Sequence, residues 1–240
     1  MRDATLPHHY GCLVCGAELT FLEAAVATSC AVCAAPATAD ARCVAGHYVC
    51  DRCHAVDAMA WIERVCHQAA TTDPWQLADG LMQSPLLKMH GPEHHFLVPA
   101  VLLTAAAEVA GRTDEKADLL AKARRRAEQA PGGFCGTHGT CGAAMGVGIA
   151  VSVWTGSTPL KTREWQLSNL ATAAALGDIA RQGGPRCCKR DTWLALAAAA
   201  AFLRDELGIA LTGPDAVVCP WSKLDQECQD EACPYCLRIC

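Results

Sequence analysis

Seventeen of the 240 residues are cysteine, and their spacing is that of metal ligands. Cys12-x2-Cys15 and Cys30-x2-Cys33 are paired thiols of the kind that grip one ion from a tight turn, with the following amides facing the sulfurs. A second set follows directly as Cys43-x3-His47-x2-Cys50-x2-Cys53. Together these eight ligands make two tetrahedral zinc sites, filled either in sequence order or interleaved, and spacing is compatible with both. Closed four-ligand zinc sites fold a small module and leave no position for substrate. His8, His9 and His54 read as bystanders.

The central segment has a different character. In Gly132-Gly133-Phe134-Cys135-Gly136-Thr137-His138-Gly139-Thr140-Cys141-Gly142, glycines free the backbone to wrap closely around a bound group. Cys141 opens an apolar helix, where the dipole and exposed amides favour a thiolate. A second glycine-led turn, Gly183-Gly184-Pro185-Arg186-Cys187-Cys188-Lys189-Arg190, again carries cysteine at a helix entrance. Side chains of adjacent cysteines diverge, so Cys187 and Cys188 suit a cluster ligand beside a reactive thiol better than two ligands of one zinc. A third element, Met89-His90-Gly91-Pro92-Glu93-His94-His95, gathers metal-ligating or acid–base groups at another helix start.

These elements predict that Cys135, Cys141 and Cys187 or Cys188 converge on an iron–sulfur cluster of the [4Fe-4S] type, with Cys187 as the assigned ligand. Glu93, His94, His95 and Cys188 are the candidate catalytic groups, and His90, Arg186, Lys189 and Arg190 the candidate substrate holders. The competing arrangement is a third zinc site using Cys135, His138, Cys141 and one of the paired cysteines. At the C-terminus Cys219, Cys228, Cys233 and Cys236 form a further metal site, holding zinc or a cluster, with Cys240 spare. Cys233-Pro234-Tyr235-Cys236 also matches a dithiol-exchange motif, but no βαβ pattern accompanies it. Cys66 stands alone.

The elements that must position these groups are helical. Helices are expected over Ala55–Ala69, Pro74–Gln83, Glu93 to Ala110, Asp114–Ala130 with Thr113 as cap, Cys141–Thr155, Leu160–Ala180 and Asp191–Leu207. No alternating strand pattern competes with them. The expected architecture is an all-α core with a zinc-ribbon or knuckle-like N-terminal module and a small C-terminal cysteine-rich metal site. Its segments are 1–55, 56–215 and 216–240. A net charge of −5 argues against a nucleic-acid partner, since phosphate neutralisation wants a basic face. The apolar runs around Phe96–Ala107 and Trp193–Leu203 fall short of a membrane span, and no signal-peptide pattern is visible. A cytoplasmic, reducing setting is therefore expected, in which cysteines serve metal rather than disulfides. Iron–sulfur chemistry further suggests an anaerobe.

Four segments carry a resemblance: MHGPEHHFLVPAVLL, GGFCGTHGTCGAAMGVGIAVSVWTGSTPL, WQLSNL and GGPRCCKRD. In them the chain resembles an uncharacterised cysteine-rich family of bacteria and archaea, often encoded beside or fused to methyltransferases dependent on S-adenosylmethionine. No glycine-rich nucleotide loop follows a strand here, so that activity is not carried over. More distantly, CGAAMGVGIA is similar to a helix of proteins described as redox-active, with a Cys-Gly-rich motif. It is also similar to one in iron–sulfur serine dehydratases and cysteine desulfidases. These resemblances imply a cysteine-bound cluster at a helix entrance. The expected function is iron–sulfur-dependent sulfur transfer, sulfur removal or lyase chemistry on a small anionic or sulfur-containing substrate, with a methyltransferase or redox protein as possible partner. Alternatives are an iron–sulfur electron-transfer protein and a zinc-stabilised adaptor without catalysis.

Overall fold

A helix that is apolar all round must be surrounded, and Glu93–Ala110 is such a helix, with a buried face at nearly every position. In the computed structural model, which describes residues 12, 17–31, 34–84 and 86–236, it is the axis of the core. The order is a hairpin, β1 (Leu19–Ser29) and β2 (Pro36–Cys43), then α1 (Asp51–Gln68), α2 (Pro74–Met82) and α3 (Glu93–Ala110). There follow α4 (Lys116–Ala127), a single turn α5 (Phe134–Thr137), α6 (Gly142–Thr155), α7 (Thr162–Gln182) and α8 (Cys188–Leu207). Helices α1, α2, α4, α6 and α8 pack on α3, and α7 closes over α6 and α8. Small residues let α6 sit close: a side chain on Gly146 would meet Pro99 of α3, and one on Gly148 would meet Thr172 of α7. Among the described residues no helix is long and apolar enough to cross a membrane.

The helices end as their sequences dictate. Asp73 caps α2 by accepting from the Trp75 and Gln76 amides at 2.9 and 3.0 Å. Gly111, Gly156 and Gly208 take left-handed conformations after α3, α6 and α8. Thr113 is not a side-chain cap as expected: it opens a short 3-10 turn, and α4 starts only at Lys116. Helix α1 begins at Asp51, ahead of the expected Ala55, directly after Cys50 and with Cys53 in its first turn.

The antiparallel hairpin was not anticipated as strand. Leu19 pairs with Cys43 and Ser29 with Pro36, with the register shifting between Phe21 and Val26. No residue of β1 is buried, and its sequence shows no clear alternation. Strand β2 does alternate, with Ala37, Ala39, Ala41 and Cys43 on its inner face, but alanines in one short strand make only a weak period.

Candidate metal centres and the cleft between them

The hairpin brings the N-terminal ligands together in interleaved order. Cys12 meets Cys43 and His47, and Cys30 meets Cys50 and Cys53, with the ligand atoms of each set within 4.8 Å of one another. Amides face the sulfurs: His47 N donates to Cys43 Sγ at 3.2 Å, and Cys50 N to Cys30 Sγ at 3.4 Å. Both sets could hold a metal ion. Their partners by spacing, Cys15 and Cys33, lie outside the described residues, as do His8, His9 and Cys240.

A third set, Cys228, Asp230 and Cys236, forms in the C-terminal segment, where the Asp230 amide donates to Cys228 Sγ at 3.3 Å. Cys219 is close enough to feel Cys233, Cys228 and Cys236, and with burial they push its thiol up to about 11. All four expected C-terminal cysteines therefore share one neighbourhood. Cys66, by contrast, is fully buried in α1 against the core, where burial raises its thiol to about 12. It is an inert core residue.

Between the hairpin and the helical core lies a cleft of about 410 Å³, lined among others by Phe21, His54, His90, Cys135, Arg186 and Cys188. Cys141 lies behind this wall. It is the N-cap of α6, and the nearby Ala143 and Ala144 amides favour its thiolate without a cap hydrogen bond. Cys188 opens α8, with the Gly91 backbone close enough to favour its thiolate. Cys135 and Cys188 each lie within electrostatic reach of Cys141. Burial, and then the Asp191 carboxylate, push the Cys141 and Cys188 thiols up to about 12. Asp191 Oδ2 is 3.8 Å from Cys141 Sγ and its Oδ1 accepts from Arg190. Two thiols beside a buried carboxylate form a donor set that a cation would favour, because only a cation relieves the repulsion their ionisation creates. Cys187 points elsewhere, towards Asp225 and the C-terminal cysteines. The central thiols are in none of the sets gathered within 4.8 Å among the described residues. His138 is exposed, stacked on Phe134, with Nδ1 2.8 Å from Thr137 Oγ1.

The histidine-rich turn divides its residues between cleft and core. His95 lines the cleft and contacts the Ala130 carbonyl through Nδ1 at 2.9 Å, so Nδ1 carries the proton and Nε2 is the bare acceptor. Burial lowers its tendency to protonate. Its ring lies directly over Gly142, where an added Cβ would come to 1.9 Å from His95 Cδ2. Glu93 and His94 are wholly buried behind Gly91 and do not line the cleft. Burial lowers His94 to about 3. Burial alone would raise Glu93, yet His54 contact and the charges of His94, His54 and Lys88 outweigh it and hold the carboxyl at about 2. His90 Nε2 sits 3.2 Å from Asp225 and 3.7 Å from Glu227.

Of the three basic candidates, Arg186 faces the cleft, with its guanidinium 5.8 Å from the Phe21 ring centre. Arg190 instead bonds the Gly183 and Pro185 carbonyls, and Lys189 reaches the Met82 and Leu87 carbonyls inside the core. Buried polar atoms without a hydrogen-bond partner are rare. Among the described residues they gather here: His54 Nδ1, His90 Nδ1, Glu93 Oε2, His94 Nε2 and Arg186 Nε, with Trp61 Nε1 elsewhere.

Several groups escaped the reading of the sequence. His54, set aside as a bystander, lines the cleft with Nδ1 3.6 Å from Glu93 Oε2. Asp191 could have been noticed, because it closes the GGPRCCKRD segment one turn after Cys187. Asp225, Glu227 and Asp230 had no local signal, since their roles depend on the path of the C-terminal segment. The sequence model of a family of unknown function, DUF5714, matches residues 62–236, well over half of the chain. No curated protein and no solved structure matches the chain.

Proposed function

The chain belongs to DUF5714, a family of unknown function, so its chemistry must be argued from its own residues, and we propose an iron–sulfur-dependent enzyme of sulfur transfer, sulfur removal or lyase chemistry. Its substrate is a small anionic or sulfur-containing molecule held in the cleft. One observation supports this reading: Cys135 and Cys188, which line the cleft, each lie within electrostatic reach of Cys141 at the start of α6. Thiols set apart on glycine-led turns suit a cluster whose sulfides fill the space between them. The cluster would supply Lewis acidity through an iron not claimed by cysteine.

The chain's own groups supply the rest. His95, neutral and with Nε2 bare, accepts the substrate proton. Arg186 holds the anionic group. Asp191 adds a carboxylate beside Cys141 and Cys188, a further negative charge for a bound cationic centre to offset. The N-terminal sets hold zinc and give the cleft its outer wall, and the C-terminal set holds zinc or a second cluster. A methyltransferase or redox protein is the partner that the resembling family's gene neighbourhoods suggest. The C-terminal cysteines beside the core favour electron transfer as the second reading.

Anaerobic reconstitution with iron and sulfide separates the two. The enzyme reading expects a visible sulfur-to-iron charge-transfer band that shifts when sulfide or a small thiol is added. A reversible redox couple indifferent to both would support electron transfer instead, and a colourless protein would refute both.

A further inference from the structure

Cys187 and Cys188 are joined by one peptide bond but live in different surroundings. Cys188 lines the cleft and neighbours Cys141. Cys187 is the N-cap of α8, its sulfur accepting from Arg190 N at 3.4 Å. It faces an enclosed void of about 10 Å³, whose walls also include Cys219, Cys228, Cys233, Asp225 and Lys189. Four thiols from two distant parts of the chain line this space, and the set within 4.8 Å at its edge is Cys228, Asp230 and Cys236, so a metal would draw the other thiols inward.

A second observation concerns charge. Lys189 is wholly buried, and its Nζ has only long contacts, 3.4 Å to the Met82 carbonyl and 3.5 Å to that of Leu87. A buried ammonium needs an opposite charge near it. Glu93 provides part, and Cys187, Cys188 and Cys219 stand around it, but neutral thiols provide none. A divalent ion in four thiolates is a net dianion, as is the usual form of a cysteine-bound cluster. Lys189 already has Glu93 as an opposite charge and the Trp221 ring centre 5.1 Å from its Nζ, and a metal–thiolate centre at this void would add to them.

We infer that Cys187 is a ligand of the C-terminal centre, which binds a thiophilic metal through Cys187, Cys219, Cys228 and Cys233, so that the adjacent cysteines of α8 serve two different centres. Cys236 and Asp230 flank it and can complete or exchange a ligand. The assignment of Cys188 to the other centre rests on the proposed function; that of Cys187 does not. The consequence reaches the cleft. Asp225 and Glu227 lie in the loop between Cys219 and Cys228 and contact His90 and Arg186, with Glu227 Oε2 3.7 Å from each. A metal that fixes this loop on α8 therefore also fixes two cleft residues.

The test compares Cys187→Ser, Cys188→Ser and Cys219→Ser in the full chain, purified without oxygen and assayed for zinc, iron and acid-labile sulfide. Cys187→Ser and Cys219→Ser should each lose the same metal, the double variant should lose no more, and all should release the tail to limited proteolysis. If that metal is zinc the sulfide content stays constant; if it is clustered iron, iron and sulfide fall together. Cys188→Ser should keep the tail metal and its protection. Unchanged metal content in Cys187→Ser, or losses identical to those of Cys188→Ser, would overturn the inference. A wild type without sulfide would sink the proposed cluster at the cleft, while leaving the comparison of Cys187→Ser with Cys219→Ser intact.

Discussion

The hairpin module and the helical core solve the same problem by opposite means. The core hides a helix that is apolar on every side, and its stability comes from burial spread over α1, α2, α3, α4, α6 and α8. The hairpin hides almost nothing, with β1 lacking any buried residue, and a two-stranded ribbon of this kind is marginal alone. Its ligand sets take the place of a core. On the proposed function, cysteines that close into compact sets serve folding, and those that stand apart at helix entrances, beside histidines and a cleft, serve chemistry.

That contrast breaks most visibly on metal removal. Apparent metal-binding energies at structural sites are about 10 kcal/mol or more, so a strong chelator, or Cys43→Ser, should abolish amide protection over residues 19–53. Protection in α3 and α6 should persist, as hydrogen exchange would report. Loss of protection in both regions together would mean that the core, too, depends on the module.

The next largest effect sharpens the contrast within the core. His94 is held neutral at about 3, below its ordinary value of 6.5. The folded state thus binds fewer protons than the unfolded one, and His94 withdraws stability as pH falls below 6.5 towards 3. The slope approaches about 1.4 kcal/mol per pH unit. Denaturant melts of His94→Gln should show a shallower acid decline than wild type over that window. Identical slopes would mean that His94 is not held neutral by the core.

A smaller effect separates glycines that look alike in the sequence. Gly142→Ala forces a methyl into the His95 ring and should cost about 1–3 kcal/mol. Gly80→Ala, on the exposed side of α2 with nothing nearby, should add about 0.5–1 kcal/mol. Denaturant midpoints check both signs.

The sequence made the helices legible because periodicity, Asp73, Gly111 and Gly208 all act locally. It made the N-terminal and C-terminal ligands legible because their spacing is short. The interleaving of the N-terminal sets was not legible, since it depends on a hairpin whose first strand buries nothing and whose second alternates only through alanines. The divergence of Cys187 from Cys188 was legible, but not which of them faces the cleft; that is decided by where residues 219–236 return to α8. Lys189 and Arg190 looked like anion holders by type, yet their amino and guanidinium groups reach buried backbone carbonyls. His54 looked incidental because Glu93, its neighbour in space, lies far along the chain.

The central claim is that three thiols from separate helix entrances surround one inorganic centre at the cleft. Acid-labile sulfide and metal, measured side by side on oxygen-free wild type and Cys141→Ser, test it most directly. The account predicts iron and sulfide in the wild type, less of both in the variant, and equal zinc in the two. Equal sulfide in both proteins, or none in the wild type, would contradict it.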